Sequence, residues 1–475
     1  MKFPRSIVCA GCAAALALLA SCKVGPDYRR PEIAAPADWR TPGSQSASLA
    51  NSAWWGFYHD AALTNLIATA LTNNYDLRLA AARIEEARAG YRAQSSALFP
   101  TIDASGVWTR ARVGDIPPAP GSTSGRFDVF GLLSYEVDVW GRIRRLTESA
   151  RAQFLATEEA RKTVTIGLIS GVATTYFNLR ALDRQLEIAR ATYESRTNIL
   201  ELTKIKFNQV NGLGYGIVSE LDVVQAATQV YAAQSSIASL ERAVAVTENA
   251  LRFLLGQNPG PVPRGDTLAA QWQPSEIPAG LPSDLLLRRP DVRAAEQLLI
   301  AANANIGVAR AAYFPQLSLT AALGVQSLQL DDLFSGGTSR AWKFAPQVAA
   351  PIFNAGRIRA GVSAATAREQ AALATYQQAI QNAFLEVDDA LVSITKLREQ
   401  LSADEGNARA EQRRLELARL RYDAGISSYS DLLDAQRFLF SAELTAVQTR
   451  NNLLAATTQL YKALGGGWTE AGTVK

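Results

Sequence analysis

Two stretches of the chain carry apolar or small residues at spacings that alternate between four and three positions. The first stretch contains Leu168, Val172, Thr175, Leu179, Leu182, Leu186, Ala189 and Tyr193. The second lies 215 residues further on and contains Ala383, Val387, Ala390, Ile394, Leu397 and Leu401. This spacing is the heptad seam of helices that pack side by side. Because no proline interrupts residues 121–258, the first seam predicts one helix from about Ile143 to Asn211.

Other stretches alternate apolar or small residues with polar ones at a period of two. The alternation runs through Ile102–Thr109, Phe127–Asp138, Leu317–Val325 and Trp342–Ile352. A period of two predicts strands with one apolar face. A turn-rich segment separates the first two strands, so the strands are expected to form two hairpins. In the fourth strand, two prolines at positions 346 and 351 indicate an edge or bulge position.

The chain contains a tandem duplication. Phe99-Pro100 matches Phe314-Pro315, and Gly141-Arg142-Ile143-Arg144 matches Gly356-Arg357-Ile358-Arg359, both at an offset of 215 residues. Such a repeat predicts one structural unit used twice. The Gly-Arg motifs lie where a strand passes into a helix, so their arginines are expected to face water or lipid headgroups.

Each copy is predicted to contain a half-length helix, a hairpin, a long helix and a returning half-length helix. The half-length helices are expected at about Ala62–Leu98, Ser219–Leu255, Pro290–Tyr313 and Ser430–Leu464. The first copy carries four extra residues within Asn208 to Val218.

The repeats define the expected domain organisation. Residues 1–21 form a signal peptide, 22–61 a lipidated N-terminal segment and collar, 62–261 the first repeat, 262–285 a link, 286–465 the second repeat and 466–475 a C-terminal tail. The aromatic run from Trp54 to Tyr58 is expected to pack as a hydrophobic collar against the helices.

The first residues have the pattern of a secretory signal. Lys2 and Arg5 precede an uncharged apolar run, and the run ends at Leu19-Ala20-Ser21-Cys22. Small residues before a cysteine resemble a bacterial lipobox, which implies cleavage before Cys22 and lipidation of that residue. Compared with bacterial lipoproteins, Lys23 in place of aspartate favours the outer membrane.

Composition excludes several classes of function. The chain has 48 Lys+Arg and 44 Asp+Glu, and its arginine pairs are scattered, so no basic stripe for nucleic acid is expected. His59 is the only histidine and Met1 the only methionine, which excludes a His/Cys metal cage or a Met-lined copper site. Most nucleophile arrangements also lack their base. We therefore expect no catalytic site, no cofactor and no metal site.

Four strands in one chain cannot close a barrel. A membrane strand cannot leave a backbone edge exposed to lipid, and transmembrane barrels begin at about eight strands. Three chains with four strands each would supply twelve, so a homotrimer is expected.

Several motifs together resemble the TolC/NodT-type outer-membrane factor family. They are Cys22-Lys23-Val24-Gly25-Pro26-Asp27-Tyr28, Arg288-Arg289-Pro290-Asp291-Val292-Arg293, Leu432-Leu433-Asp434-Ala435-Gln436-Arg437 and Tyr461-Lys462-Ala463-Leu464-Gly465-Gly466-Gly467-Trp468. The resemblance implies a mixed α and β fold in which a trimer forms one 12-stranded β-barrel in the outer membrane. A long periplasmic α-helical barrel would continue it.

The resemblance also implies a function. The trimer would be the passive exit duct of a tripartite efflux pump for drugs or other small toxic compounds. Its partners would be a periplasmic adaptor protein, an inner-membrane pump of the resistance-nodulation-division type and outer-membrane lipid.

The residues at the two helix-turn tips are the candidate site. They comprise Glu220, Asp222, Ser430, Asp431, Asp434 and Arg437. Ser219-x-x-Asp222 and Ser428-x-x-Asp431 have the spacing of capping boxes. The resemblance places a periplasmic constriction near Asp434, with Arg437 positioned to pair with an acidic side chain.

Two alternatives stay open at this point. An exit duct of a protein-secretion system would share these features. A lipid-anchored structural coiled-coil protein of the envelope would explain the heptads and the lipobox, but not two hairpins at matching places.

Overall fold

A computed structural model describes residues 23–33, 36, 39–40, 54–112, 123–211, 218–271, 282, 285–335 and 339–467. Cys22, the expected signal peptide and the C-terminal residues from Trp468 lie outside the described residues. The helices are α1 Trp54–Phe57, α2 Ala61–Asn73, α3 Tyr75–Ser96, α4 Arg142–Asn211, α5 Glu220–Leu254, α6 Leu285–Arg288, α7 Pro290–Ala311, α8 Arg357–Asp423 and α9 Tyr429–Ala463. The strands are β1 Thr101–Arg112, β2 Thr123–Val137, β3 Gln316–Ser327 and β4 Arg340–Ala349.

The chain divides into two compact units. The first comprises Met1–Ile33, Ala82–Glu158 and Ala294–Gln378, and it contains the four strands. The second comprises Ala34–Ala81, Glu159–Arg293 and Ala379–Lys475. Helices α3, α4, α7 and α8 contribute residues to both units.

The element order confirms the tandem repeat. The series α3, β1, β2, α4, α5 recurs as α7, β3, β4, α8, α9. The long helices α4 and α8 have 70 and 67 residues. Seam residues such as Val172, Leu179 and Val387 are fully buried, as the heptad spacing predicts. Among the described residues, no helix has the length and apolar character needed to cross a membrane.

The first half-length helix differs from the prediction, because it is two helices separated at Asn74. The Asn74 backbone is extended there (φ −60°, ψ 134°). Its side-chain oxygen accepts from the amides of Asp76 and Leu77, and its Nδ2 donates to the Leu254 carbonyl at 2.9 Å. Asn74 therefore caps α3 and binds the end of α5. No proline or glycine marks this break in the sequence. The break is fixed by the Leu254 carbonyl, which lies 180 residues further along the chain.

The four strands form one antiparallel sheet in the order β1-β2-β3-β4. Cross-strand partners lie on the same face of a sheet. One face carries Ile102, Ala104, Gly106, Trp108, Phe127, Val129, Gly131, Leu133, Tyr135, Val137, Leu317, Leu319, Ala321, Leu323, Val325, Trp342, Phe344, Pro346 and Val348. The face is continuous across all four strands and open to solvent in the single chain: Ile102 is 77%, Leu323 73% and Trp342 77% exposed.

The opposite face of the sheet is mixed. It carries Asp103, Asp128, Ser134, Thr320 and Lys343. As expected, Pro346 lies on a strand at the edge of the sheet. However, β4 ends at Ala349 rather than near Ile352, so Pro351 stands outside it.

A buried carboxylate fixes the start of α2. Asp60 is the N-cap of α2 and accepts from the amides of Ala62 and Leu63 at 2.8 and 3.2 Å. It also accepts from Tyr176 Oη at 2.7 Å and Gln271 Nε2 at 2.8 Å. Burial opposes ionisation, but these hydrogen bonds outweigh it and lower the pKa of Asp60 below 3.8. The ionised carboxylate therefore holds three separate parts of the second unit together.

We expect Asp60→Asn to lower the free energy of unfolding by about 1–3 kcal/mol at pH 7, since a hydrogen-bonded buried charge is lost. The lowered pKa means that the stabilisation is complete above pH 3.8 and is lost as the pH falls through the lower, folded-state value. Denaturation followed by circular dichroism should therefore show the two proteins converging below pH 3.8. Asp389→Asn, at an exposed position on α8, is the control. A gap that stays constant from pH 7 to strongly acidic pH would contradict this account.

Candidate functional site

The turn between α8 and α9 is closed by glycine. Gly425 has φ +70°, a conformation that favours glycine at a helix C-terminus. The amide of Gly425 donates to the Tyr422 carbonyl at 3.0 Å, and the amide of Ile426 to the Arg421 carbonyl at 2.9 Å. These bonds end α8 and reverse the chain into α9. The matching turn after α4, with residues 212–217, lies outside the described residues.

A small apolar cluster holds the helix ends together at this turn. Ile199 of α4, Ala226 of α5, Tyr422 of α8, and Tyr429 and Leu432 of α9 are all buried in it. The Tyr422 and Tyr429 rings meet edge to face at 5.9 Å. Because Tyr429 and Leu432 pack on one face of α9, the opposite face of this helix can carry polar residues.

The sequence-predicted site residues of α9 share that outer face. Ser430, Asp431, Asp434 and Arg437 are all exposed. Within the described part of the chain, Asp434 and Arg437 form no ion pair with each other or with another residue. The expected pairing is thus not made inside one chain, and both charges are open to a partner.

The sequence did not single out Arg196, a buried arginine on α4 near this face. Its Nη1 donates to the Gln229 carbonyl at 3.1 Å, and its guanidinium carbon lies 5.6 Å from the centre of the Phe440 ring. Burial lowers the pKa of Arg196, and the positive charge of Arg437 lowers it further. No carboxylate neutralises it among the described residues. The pattern of apolar and polar residues in the sequence could not reveal that Arg196 is buried, because an arginine on a helix normally faces solvent.

The two helix starts are capped differently. At α5 the predicted capping box is confirmed: Ser219 Oγ accepts from the Asp222 amide, and Asp222 Oδ2 accepts from the Ser219 amide at 2.8 Å. Glu220 is exposed in the same first turn. At α9 the predicted box is wrong, because Ser428 is the N-cap but makes no side-chain cap bond. Packing of Tyr429 in the apolar cluster fixes this start instead and leaves the carboxylate of Asp431 exposed.

The residues that follow Cys22 are fixed to the first unit. Lys23 Nζ lies 2.7 Å from Glu148, and the Val24 amide donates to the Trp140 carbonyl at 3.1 Å. The fully buried Arg145 donates to the carbonyls of Val24 and Gly25 at 3.3 and 3.1 Å. The segment from Lys23 to Gly25 is therefore held next to the start of α4.

A close backbone contact continues this attachment. Gly25 has φ +102° and packs against Gly307, so that a Cβ at either position would collide with the chain. Further on, Tyr28 and Arg30 both donate to Glu296, at 3.1 and 2.6 Å. Residues 25–30 thus bind the N-terminal segment to α7.

The Arg-Arg-Pro-Asp motif before α7 also has a packing role. Arg289 is buried and donates to Asp291 at 2.6 Å, to Glu386 of α8 at 2.7 Å and to the Ala463 carbonyl of α9 at 3.0 Å. In the collar, the buried Phe57 ring stacks on Tyr461 at 4.5 Å, as the aromatic run predicted. Among the described residues, no group of three or more His, Cys, Asp or Glu side chains is placed to hold a metal ion.

Comparison with known proteins identifies the class. The family model described as Outer membrane efflux protein matches residues 66–257 and again residues 281–466, once in each repeat. The chain therefore belongs to the outer membrane efflux protein family.

Individual relatives agree over nearly the whole chain. The toluene efflux pump outer membrane protein TtgI of Pseudomonas putida is 42% identical over 464 residues, covering 96% of this chain and 97% of that protein. The cation efflux system protein CusC of Escherichia coli is 38% identical over 457 residues, covering 95% and 96%.

Solved structures agree as well. A crystal structure of CusC has a TM-score of 0.84 at 36% identity and covers 94% of this chain and all of that one. The open state of the Neisseria gonorrhoeae MtrE outer membrane channel has a TM-score of 0.84 at 33% identity, covering 94% and 99%. The mixed fold with four strands per chain is thus that of the outer-membrane efflux channels.

The unequal caps give a matched pair of variants. We expect Ser219→Ala to destabilise the first turn of α5 by about 1 kcal/mol, because it removes the hydroxyl that accepts from the Asp222 amide. Ser428→Ala should leave the first turn of α9 nearly unchanged, since no side-chain bond is lost there. Hydrogen exchange at the amides of Asp222 and of the first turn of α9 measures both effects. Equal loss of protection in the two variants would show that capping does not distinguish the two helix starts.

Proposed function

We propose that three copies of the chain form the exit duct of a tripartite efflux system in the outer membrane of a Gram-negative bacterium. The observation that carries this proposal is the four-stranded sheet. Its apolar face is continuous and exposed, and β1 and β4 each pair on one side only within the chain. Unpaired backbone groups are costly in hydrocarbon. Joining β4 of each copy to β1 of the next removes these edges and closes a ring of twelve strands.

The helices would continue the duct into the periplasm. Each hairpin leads directly into a helix of 67 or 70 residues, which spans about 100 Å at ~1.5 Å per residue. The proposed partners are a periplasmic adaptor and an inner-membrane pump of the resistance-nodulation-division type. The relatives include proteins named for solvent, toluene, antibiotic and cation efflux. Accordingly, we infer small toxic compounds as cargo, moved passively and without a cofactor.

The exposed polar face of α9 would line the periplasmic opening. A threefold axis would bring three copies of Asp434 together, with Ser430 and Asp431 beside them on the same face. Rings of carboxylates attract cations in channels. Arg437 has no ion-pair partner among the residues that the structure describes, so it is available to a carboxylate of the next copy. Such contacts would hold the opening closed until the adaptor supplies better partners. Glu220 is a further candidate to line the periplasmic opening. Asp222 contributes by capping the start of α5.

Neither alternative explains the molecule better. A lipid-anchored structural coiled-coil protein leaves the apolar sheet face without a role. A duct for protein secretion would share the sheet and the helices, but the relatives at 38–42% identity carry names of efflux proteins.

The proposed domain boundaries are the ones predicted from the sequence. Residues 62–261 and 286–465 are the two repeats, with 262–285 as the link between them, and 22–61 and 466–475 as terminal segments.

The duct is tested in planar bilayers. We expect the purified parent protein to run as a trimer and to conduct with cation selectivity. Asp434→Ala should raise the single-channel conductance and lower the selectivity, with trimer stability unchanged, because three negative charges leave the opening. Asp389→Ala is the control, since this carboxylate is exposed on α8 and forms no hydrogen bond or ion pair among the described residues. A monomeric parent that does not conduct would reject the duct. If instead Asp434→Ala conducts like the parent, the duct stands and only the gate is elsewhere.

We also propose that Cys22 is lipidated and that the anchor assists, rather than replaces, insertion of the strands. Radiolabelled palmitate should enter the parent protein and not Cys22→Ser. Trimers of Cys22→Ser should still form, because the ion pair between Lys23 and Glu148 and the contacts of Arg145 do not involve the lipid. Label retained by the variant would refute the lipid site.

A further inference from the structure

Helix α5 carries an apolar stripe on the side that faces away from α4. Ala226 of α5 is buried in the cluster that contains Ile199 of α4, and Ala233, two turns further on, is buried as well. With about 3.6 residues per turn, the opposite side of α5 carries Leu221, Val224, Thr228 and Tyr231. Leu221 is 63%, Val224 56% and Tyr231 70% exposed. Three large apolar side chains on one side of the helix, here called the α5 stripe, are thus open in the single chain.

The duplication shows how the matching stripe of α9 is used. Beyond the four extra residues of the first copy, α5 and α9 correspond at an offset of 211. The matched positions, with the α5 residue first, are Leu221 and Leu432, Val224 and Ala435, Thr228 and Leu439, and Tyr231 and Ala442. All four positions are exposed in α5 and buried in α9. The stripe of α9 therefore has a neighbour that the stripe of α5 lacks in the single chain.

The neighbour of the α9 stripe is α4. Leu432 packs in one cluster with Ile199, and Leu439 lines a cavity together with Ile188. Ile188 precedes Ile199 in the chain while Leu439 follows Leu432, so the two helices run antiparallel. Ile188 consequently lies at about the level of Ala442.

Helix α8 is the repeat counterpart of α4, and its corresponding side is open. At the offset of 215, Ile188 corresponds to Ala403. The same side of α8 carries a row of exposed residues, namely Ala403, Asn407, Ala410, Arg414 and Leu417. On the opposite side of this helix, Gln412 and Leu415 line the cavity shared with α4 and α9. The side with Ala403, here called the open face of α8, thus points away from those helices.

The α5 stripe and the open face of α8 have complementary sizes. Inside the chain, the large Ile188 of α4 meets the small Ala442 of α9. The sizes are reversed at the corresponding open positions, where α8 has the small Ala403 and α5 has the large Tyr231. Beside Ala403, a Cβ added at Gly406 would meet no atom closer than 3.9 Å. The open face of α8 therefore has room for an aromatic side chain that α4 would exclude.

We propose that the α5 stripe of one copy packs on the open face of α8 of the next copy, with Tyr231 beside Ala403 and Val224 beside Ala410. This contact rests on the proposed trimer and names the surface that joins its helices. A second copy of this chain is the partner that fits, because the internal contact between α4 and α9 already joins the equivalent faces. Moreover, α8 follows β4, the strand whose outer edge is open to the next copy.

Disulfide cross-linking of the full chain in outer membranes tests the contact. On mild oxidation, Y231C/A403C and V224C/A410C should each form disulfides between copies and give covalent species of up to three chains on non-reducing gels. The crossed combinations Y231C/A410C and V224C/A403C should not, because about two turns of helix, or about 10 Å, would separate their sulfur atoms. The four single-cysteine variants control for bonds to the native cysteines, and they should conduct like the parent under reducing conditions.

An exchange of sizes tests the packing without cysteine. Y231A and A403I should each speed dissociation of the solubilised trimer about tenfold or more, because the first truncates a buried aromatic anchor and the second fills its recess. Y231A/A403I reproduces the internal contact between Ala442 and Ile188, so its dissociation rate should return towards that of the parent. A double variant that dissociates faster than both single variants would show that the two side chains do not meet.

The outcomes separate this contact from the proposed duct. If neither Y231C/A403C nor V224C/A410C links copies of a protein whose parent is trimeric and conducts, the contact is wrong and the duct stands. Disulfides within one chain, or equal linking by the crossed combinations, overturn the contact as well. Conversely, specific linking between copies of a protein whose parent neither closes into trimers nor conducts supports the contact and rejects the duct.

Discussion

The constraint on which the architecture depends is the pairing of backbone groups at the two edges of the sheet. Four antiparallel strands satisfy their inner hydrogen bonds but leave β1 and β4 each with an open side. In water an open edge is tolerated, whereas in hydrocarbon every unpaired N–H and C=O group is costly. The apolar face of the same sheet excludes it from a purely aqueous role. Together, an edge that needs a partner and a face that needs lipid favour a closed ring of several copies.

Buried charged side chains hold the irregular segments in place. Arg145 holds the segment Val24–Gly25, Asp60 holds the start of α2 and Arg289 holds the end of α9. Each is satisfied by several oriented partners, because an unpaired charge in the interior would cost far more than its contacts return. A long helix can be positioned by its apolar seam, but a segment without periodicity needs such specific bonds.

The duplication supplies two copies of one design, and the differences between them locate specialised functions. The α5 start has a capping box, whereas the α9 start leaves its acidic residue exposed. Where β2 passes into α4, Arg142 and Arg144 pair with Glu136 and Asp138. Their repeat counterparts Arg357 and Arg359 form no ion pair among the described residues. In both comparisons the copy that dispenses with an internal bond is the copy whose polar groups are open to another molecule. Comparing equivalent positions within one chain thus serves as an internal control.

The sequence by itself determined the elements, their order and their repetition, because helix and strand periodicity express local chain geometry that needs no distant contact. The heptad seams gave α4 and α8, the alternation gave four strands, and Gly425 marked its turn. Only the tertiary structure decided which polar groups find partners. The break at Asn74 depends on the Leu254 carbonyl, and the absent cap at Ser428 reflects the packing of Tyr429. Arg196 is buried only because α5 and α9 lie against it. Such outcomes depend on contacts with residues far away in the chain. Local sequence patterns do not show which distant residues come into contact.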